Sequence, residues 1–114
     1  MGRGFSKYHA KKTPCRQGHT HASKKEAGMC DVLTDREMRG EIQRLEQQPK
    51  FTFTIDGRQL KHKNGHKVGL TADFQYFEGG RNIVVETKGF VVRDWPLRRA
   101  IFEALFPHIE LREV

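Results

Sequence analysis

The chain has 114 residues, 36% of them apolar and 31% charged, enough for one domain around one core. Its mean hydropathy of -0.73 and the lack of a long apolar run argue against a membrane-spanning helix, and with no apolar stretch after the basic start no secretory leader is expected. Two cysteines make no disulfide framework, so reduced thiols and a cytoplasmic setting are expected. The net charge of +7 is unevenly placed. Arg3, Lys7, Lys11, Lys12, Arg16, Lys24 and Lys25 fall within residues 1–25, which hold no acid, and the rest of the chain balances 14 basic against 14 acidic groups.

Residues 1–22 therefore read as a basic, flexible arm and 23–114 as a single domain. A cationic arm on a neutral body suits a polyanion, because binding phosphates releases their counterions. Phe5, Tyr8, His9, His19 and His21 add groups that stack or hydrogen-bond along a nucleic-acid backbone; the alternative is a solvated terminus kept soluble by its charge.

Ser23 with Glu26 is a capping-box pair that opens a helix running to about Arg39, and Gly40 stops it. Ala27, Cys30, Leu33 and Met38 form its apolar stripe. Extended chain follows through Ile42, Leu45, Pro49 and the alternating Phe51, Phe53 and Ile55. Asp56-Gly57 marks a turn, and the stretch after it holds Arg58, Lys61, Lys63 and Lys67 with no acid, a second cationic segment.

Leu70–Phe77 and Asn82–Lys88 read as a hairpin closed by Glu78-Gly79-Gly80-Arg81, since Gly-Gly supplies the two positive φ angles of a primed turn. That turn pairs Phe77 with Asn82, Gln75 with Val84 and Asp73 with Glu86. Phe74, Tyr76, Ile83 and Val85 share the core face, and Asp73, Glu86 and Lys88 share the other. Asp94 and Pro96 then begin a helix with Leu97, Ala100, Ile101, Ala104 and Leu105 at helical spacing. Pro107 ends it, and a last strand runs through Ile109 and Leu111. The order is helix, three strands, helix, strand: an α/β fold.

Two carboxylates opposed across a hairpin repel each other by roughly 0.2–1 kcal/mol unless a cation lies between them. Lys88 supplies one positive charge on that face, and a divalent ion on carboxylate oxygens would supply more. The competing reading is that Asp73 and Glu86 are ordinary solvent-facing strand residues.

Asp73 followed by Glu86-Thr87-Lys88 resembles the motif of the PD-(D/E)XK nucleases, with Ala72 in the position usually held by Pro. The strand and helix order αβββαβ, a mixed central sheet flanked by helices, is similar to the restriction-endonuclease-like core of that superfamily. From about Gly18 onward the chain resembles a small phage and prophage family of this type, long labelled a domain of unknown function. The pieces are Ala22-Ser23-Lys24-Lys25-Glu26-Ala27, Gly40-Glu41-Ile42, Gln48-Pro49-Lys50-Phe51, Ala72-Asp73-Phe74 and Val85-Glu86-Thr87-Lys88-Gly89. The last two are also similar to Holliday junction resolvases of the phage endonuclease I type. His21 stands where that family usually carries a large apolar residue.

The resemblance implies phosphodiester hydrolysis. Asp73 and Glu86 would hold Mg²⁺ (Mn²⁺ as substitute), with the Thr87 carbonyl as third protein ligand and Glu26 reaching in from the first helix. Lys88 would orient the attacking water and steady the charged phosphorane-like state, and Gln48 would point toward the same site. Glu26 could instead only close the capping box. Cys15, His19, His21 and Cys30 invite a zinc reading, but their irregular spacing and the place of Cys30 inside a helix argue against it. Trp95 reads as a packing residue.

The expectation is a Mg²⁺-dependent DNA endonuclease, phage or prophage encoded and homodimeric, that resolves Holliday junctions or cuts branched DNA. The DNA contacts would be Arg3, Lys7, Lys11, Lys12, Arg16, Lys24, Lys25, Lys61, Lys63 and Lys67. The alternatives are a nicking or sequence-selective endonuclease and a non-catalytic nucleic-acid-binding protein.

Overall fold

The computed structural model describes residues 12–16, 18–21, 23–87 and 93–114. Its elements are β1 (Thr13–Pro14), β2 (Thr20–His21), α1 (Lys24–Met38), β3 (Gln43–Gln47), β4 (Lys50–Thr52), β5 (Thr54–Ile55), β6 (Arg58–Gln59), β7 (Gly69–Thr71), β8 (Phe74–Glu78), β9 (Arg81–Glu86), α2 (Trp95–Leu105) and β10 (Ile109–Glu113).

The four-stranded sheet has the order β10-β9-β8-β3, with β10 parallel to β9 and the other neighbours antiparallel. Parallel pairing needs a crossover, and α2 lies within it. The fold is thus α/β with a mixed sheet and two helices. Because side chains alternate along β9, Ile83 and Val85 enter one core with Ala27, Cys30 and Leu33 of α1, while Val84 enters a second core with Trp95 and Phe102 of α2. A strand covered on both faces reads as a continuous apolar run, as Ile83-Val84-Val85 does.

The β8–β9 hairpin has the predicted register: Phe77 pairs with Asn82, Gln75 with Val84, and Glu78 with Arg81. Gly79 and Gly80 take φ of 57° and 79°, as a primed turn requires. At the open end the ladder departs from prediction. Phe74 is the partner of Val85, yet the Asp73 amide also donates to the Val85 carbonyl at 3.0 Å. Two residues on one strand thus address one on the other, as in a β-bulge, so the pairing of Asp73 with Glu86 is not reached.

Other differences follow from tertiary pairing. The expected strand 51–55 is divided at the buried Phe53, with β4 paired to β7 and β5 to β6. Gly69 allows that closeness, since a Cβ there would lie 2.3 Å from the Phe51 carbonyl oxygen. An added strand, β3, pairs with β8 through an irregular register. On α2 the core residues are Trp95 and Phe102, whereas Leu97 is 65% exposed. Phe102 packs edge-on to Phe51, with ring centroids 5.0 Å apart.

Candidate functional site

The capping box forms in half. Ser23 Oγ accepts from the Glu26 amide at 3.1 Å, holding the first turn of α1. The Glu26 carboxylate has other partners: Oε2 accepts from His21 Nδ1 at 2.7 Å and from Gln48 Nε2 at 3.2 Å. Gln48, just after β3, has a left-handed φ of 52°, which costs a non-glycine residue strain. Its amide donates to the Asp73 carbonyl at 3.0 Å, tying this residue to the strand break. Asp73 Oδ2 accepts from both the amide and the hydroxyl of Thr87 at 2.6 Å.

Glu26, Gln48, Asp73 and Thr87 are thereby brought together from α1, the β3–β4 junction and the two hairpin strands. Burial pushes the Glu26 carboxyl above its ordinary pKa; the His21 hydrogen bond opposes this, and the neighbouring Asp73 adds to the rise. For His21, burial works downward, but the Glu26 hydrogen bond and the nearby Cys15 sulfur outweigh it and leave the imidazole above its ordinary value.

Glu86 is buried and lies on the other side of the break, in a cavity of about 650 Å³ lined also by Lys50, Lys67, Trp95 and Arg98. Asp94 lines it too, so three cations face two carboxylates, and Arg98 is paired with Asp94 at 2.7 Å. Trp95 is a packing residue whose Nε1 donates to Glu113 at 2.7 Å. Lys50 and Arg98 are site candidates the sequence reading missed; Lys50 was visible beside Gln48-Pro49, but Arg98 lies on α2 and offers no local signal.

Of the expected DNA contacts, Lys12, Lys24, Lys25, Lys61, Lys63 and Lys67 are exposed. Arg16 is exposed too, but its guanidinium pairs with Asp35 at 2.7 Å and Asp31 at 3.6 Å, which fastens it to α1. Arg3, Lys7, Lys11 and the expected catalytic Lys88 lie outside the described residues.

The expectation of magnesium alone, with zinc set aside, is corrected by the N-terminal segment. β1 and β2 pair as an antiparallel hairpin, held by hydrogen bonds from the Cys15 amide to the His19 carbonyl at 2.8 Å and from the Gly18 amide to the Cys15 carbonyl at 3.0 Å. This turn sets Cys15, His19 and His21 against Cys30 of α1, and one ligand atom from each lies within 4.8 Å of the others. Burial, then the neighbouring Cys15, pushes the Cys30 thiol up to about 11. Irregular spacing misled because the ligands come from a hairpin and a helix packed on it, not from a contiguous loop. Two Cys and two His within sixteen positions, Cys15 to Cys30, was the signal available.

Residues 5–114 match the family described as protein of unknown function, DUF1064. The chain belongs to that family. Comparison with curated proteins and with solved structures finds no match. The DUF1064 match spans both the Cys/His group and the carboxylates at the hairpin mouth.

Proposed function

We propose that the chain is a divalent-cation-dependent endonuclease with a PD-(D/E)XK-type core, hydrolysing phosphodiester bonds of branched or four-way-junction DNA. The observation that carries this reading is the convergence of Glu26, Gln48 and Asp73 at an interrupted strand, one residue from the β9 end that bears Glu86. A strained Gln48 held on both its amide and its side chain is typical of a built site. The carboxylates of Asp73 and Glu86 and the Thr87 carbonyl are the donor types a hard cation takes, and binding one ion would require Glu86 to be drawn across the break toward Asp73. When bound, such an ion polarises the phosphate and activates water.

The protein's own contributions follow from the geometry. Thr87 fixes the Asp73 carboxylate through two bonds, so its orientation costs little on substrate binding. Gln48 and His21 hold Glu26 inward from α1. Lys50 and Lys67 line the cavity beside Glu86 and attract the phosphate backbone, with Arg98 held by Asp94 at its edge. Lys88, next after Thr87, carries the positive charge for the developing phosphorane in this reading. A homodimer would place two such sites on the two strands of a junction.

The test is a gel assay with labelled four-way junction and linear duplex of the same sequence, after chelation and re-addition of Mg²⁺, Mn²⁺ or Zn²⁺ singly. Expected is cation-dependent cutting of the junction, reduced at least 100-fold in Lys88→Ala and in Glu86→Ala. Equal cutting of both substrates would retain the nuclease and remove the junction preference. Binding without product under every cation would overturn the catalytic reading.

A further inference from the structure

We propose that Cys15, His19, His21 and Cys30 form a closed, structural zinc site that clamps the β1–β2 hairpin onto α1, and that Glu26 positions His21 as its ligand. The geometry is that of four donors around one small ion. Cys15 Sγ and Cys30 Sγ are 3.2 Å apart, and His19 Nδ1 is 3.6 Å from the first and 3.4 Å from the second. Tetrahedral zinc with bonds of about 2.3 Å to sulfur and about 2.0–2.1 Å to nitrogen requires ligand atoms roughly 3.3–3.8 Å apart, so the two His19–sulfur distances fit and the two sulfurs would move apart by about half an ångström on binding. The sulfurs are too far apart for a disulfide, which needs about 2.05 Å.

A second observation comes from the fourth residue. His21 is 4% exposed, and its Nε2 is buried without a hydrogen-bond partner. A bare buried imidazole nitrogen is unfavourable unless something satisfies it. His21 Nδ1 is already committed to Glu26 at 2.7 Å, which leaves Nε2 as the atom offered to the Cys/His group. A carboxylate bonded to the far nitrogen of a ligating histidine sets its tautomer and orientation, as zinc sites commonly require. Gln47 Nε2 donates to Cys30 Sγ at 3.6 Å, an outer contact to a ligand sulfur.

With four protein donors the site has no open position, so its role is structural and not hydrolytic. It holds the start of the domain against α1. Through His21 and Glu26 it also reaches Gln48 and the strand break, so metal loading supports the position of that carboxylate. The inference stands on the Cys/His geometry and does not depend on nuclease activity.

The test is metal analysis and cobalt substitution of the full chain, reconstituted with zinc under reducing conditions. Expected is one zinc per chain by native mass spectrometry. Co²⁺ exchange should give the intense visible absorption of a tetrahedral site, with thiolate-to-cobalt charge transfer in the near ultraviolet. Cys15→Ser with Cys30→Ser should lose both signals, while Glu26→Gln should keep one zinc but bind it roughly 10–100-fold more weakly against a chromophoric chelator. The wild-type cobalt spectrum decides the ligand set even where a cysteine variant fails to fold. A weak octahedral spectrum, a metal-free wild type, or zinc retained by the double cysteine variant would overturn the site. An unchanged zinc affinity in Glu26→Gln would overturn the positioning role.

Discussion

The two faces of the sheet are stabilised by different chemistry. Against α2 the contact is aromatic: Phe51, Phe102 and Phe106 lie 5.0–5.5 Å apart by ring centroid, with Phe102 fully buried. Against α1 the core is interrupted by His21, Glu26 and two thiols, all buried. Apolar surface is stabilised by burial alone, whereas buried polar groups must find partners or lose free energy. The α1 face can therefore be rigid only when its polar network is complete, and that is the face from which Glu26 approaches the hairpin mouth.

The sharpest break of this comparison is Phe102→Ala. It should cost about 3–5 kcal/mol in urea unfolding, and the loss should be the same with zinc added or removed, because Phe102 packs on the opposite face. A cost that changes with zinc would mean the two faces are not separate. Next in size, Gly69→Ala should destabilise by about 1–3 kcal/mol, since a Cβ there meets the Phe51 carbonyl oxygen at 2.3 Å. By contrast Gly28→Ala, in the interior of α1 with no atom within 4 Å of the added Cβ, should stabilise by about 0.5–1 kcal/mol. Thermal melts of the two variants should move in opposite directions; a shared direction would refute the packing difference.

The smallest effect concerns Asp94, where the hydrogen bond to Arg98 at 2.7 Å holds the carboxyl below its ordinary pKa. A lowered carboxylate stabilises above its unfolded pKa, and the benefit disappears as pH falls through the folded value. Asp94→Asn should thus differ from wild type near neutrality and converge with it in acid. A difference that persists in acid would show that Asp94 acts by packing.

Much was legible locally. The α1 start follows from Ser23, whose hydroxyl needs only the amide three residues on. The hairpin register follows from Gly79-Gly80, because a two-residue turn leaves no freedom in pairing. The slip at Asp73 was not legible, since it depends on β4–β7 drawing the chain away just before β8 and on Gln48 binding the Asp73 carbonyl. Of α2's inner face, the packing roles of Trp95, Ile101 and Leu105 were legible, but Phe102 took the buried position and Leu97, Ala100 and Ala104 are exposed, because apolar residues at helical spacing fit more than one orientation.

The sequence by itself determined the α/β order, the hairpin, its turn and the asymmetric charge, because each rests on residues adjacent in the chain or joined by a tight turn. Only the tertiary structure decided that Cys15, His19, His21 and Cys30 meet, and that Glu26 faces inward. Those contacts depend on one hairpin packing against one helix, and the spacing of residues along a chain does not carry the direction in which two elements are brought together.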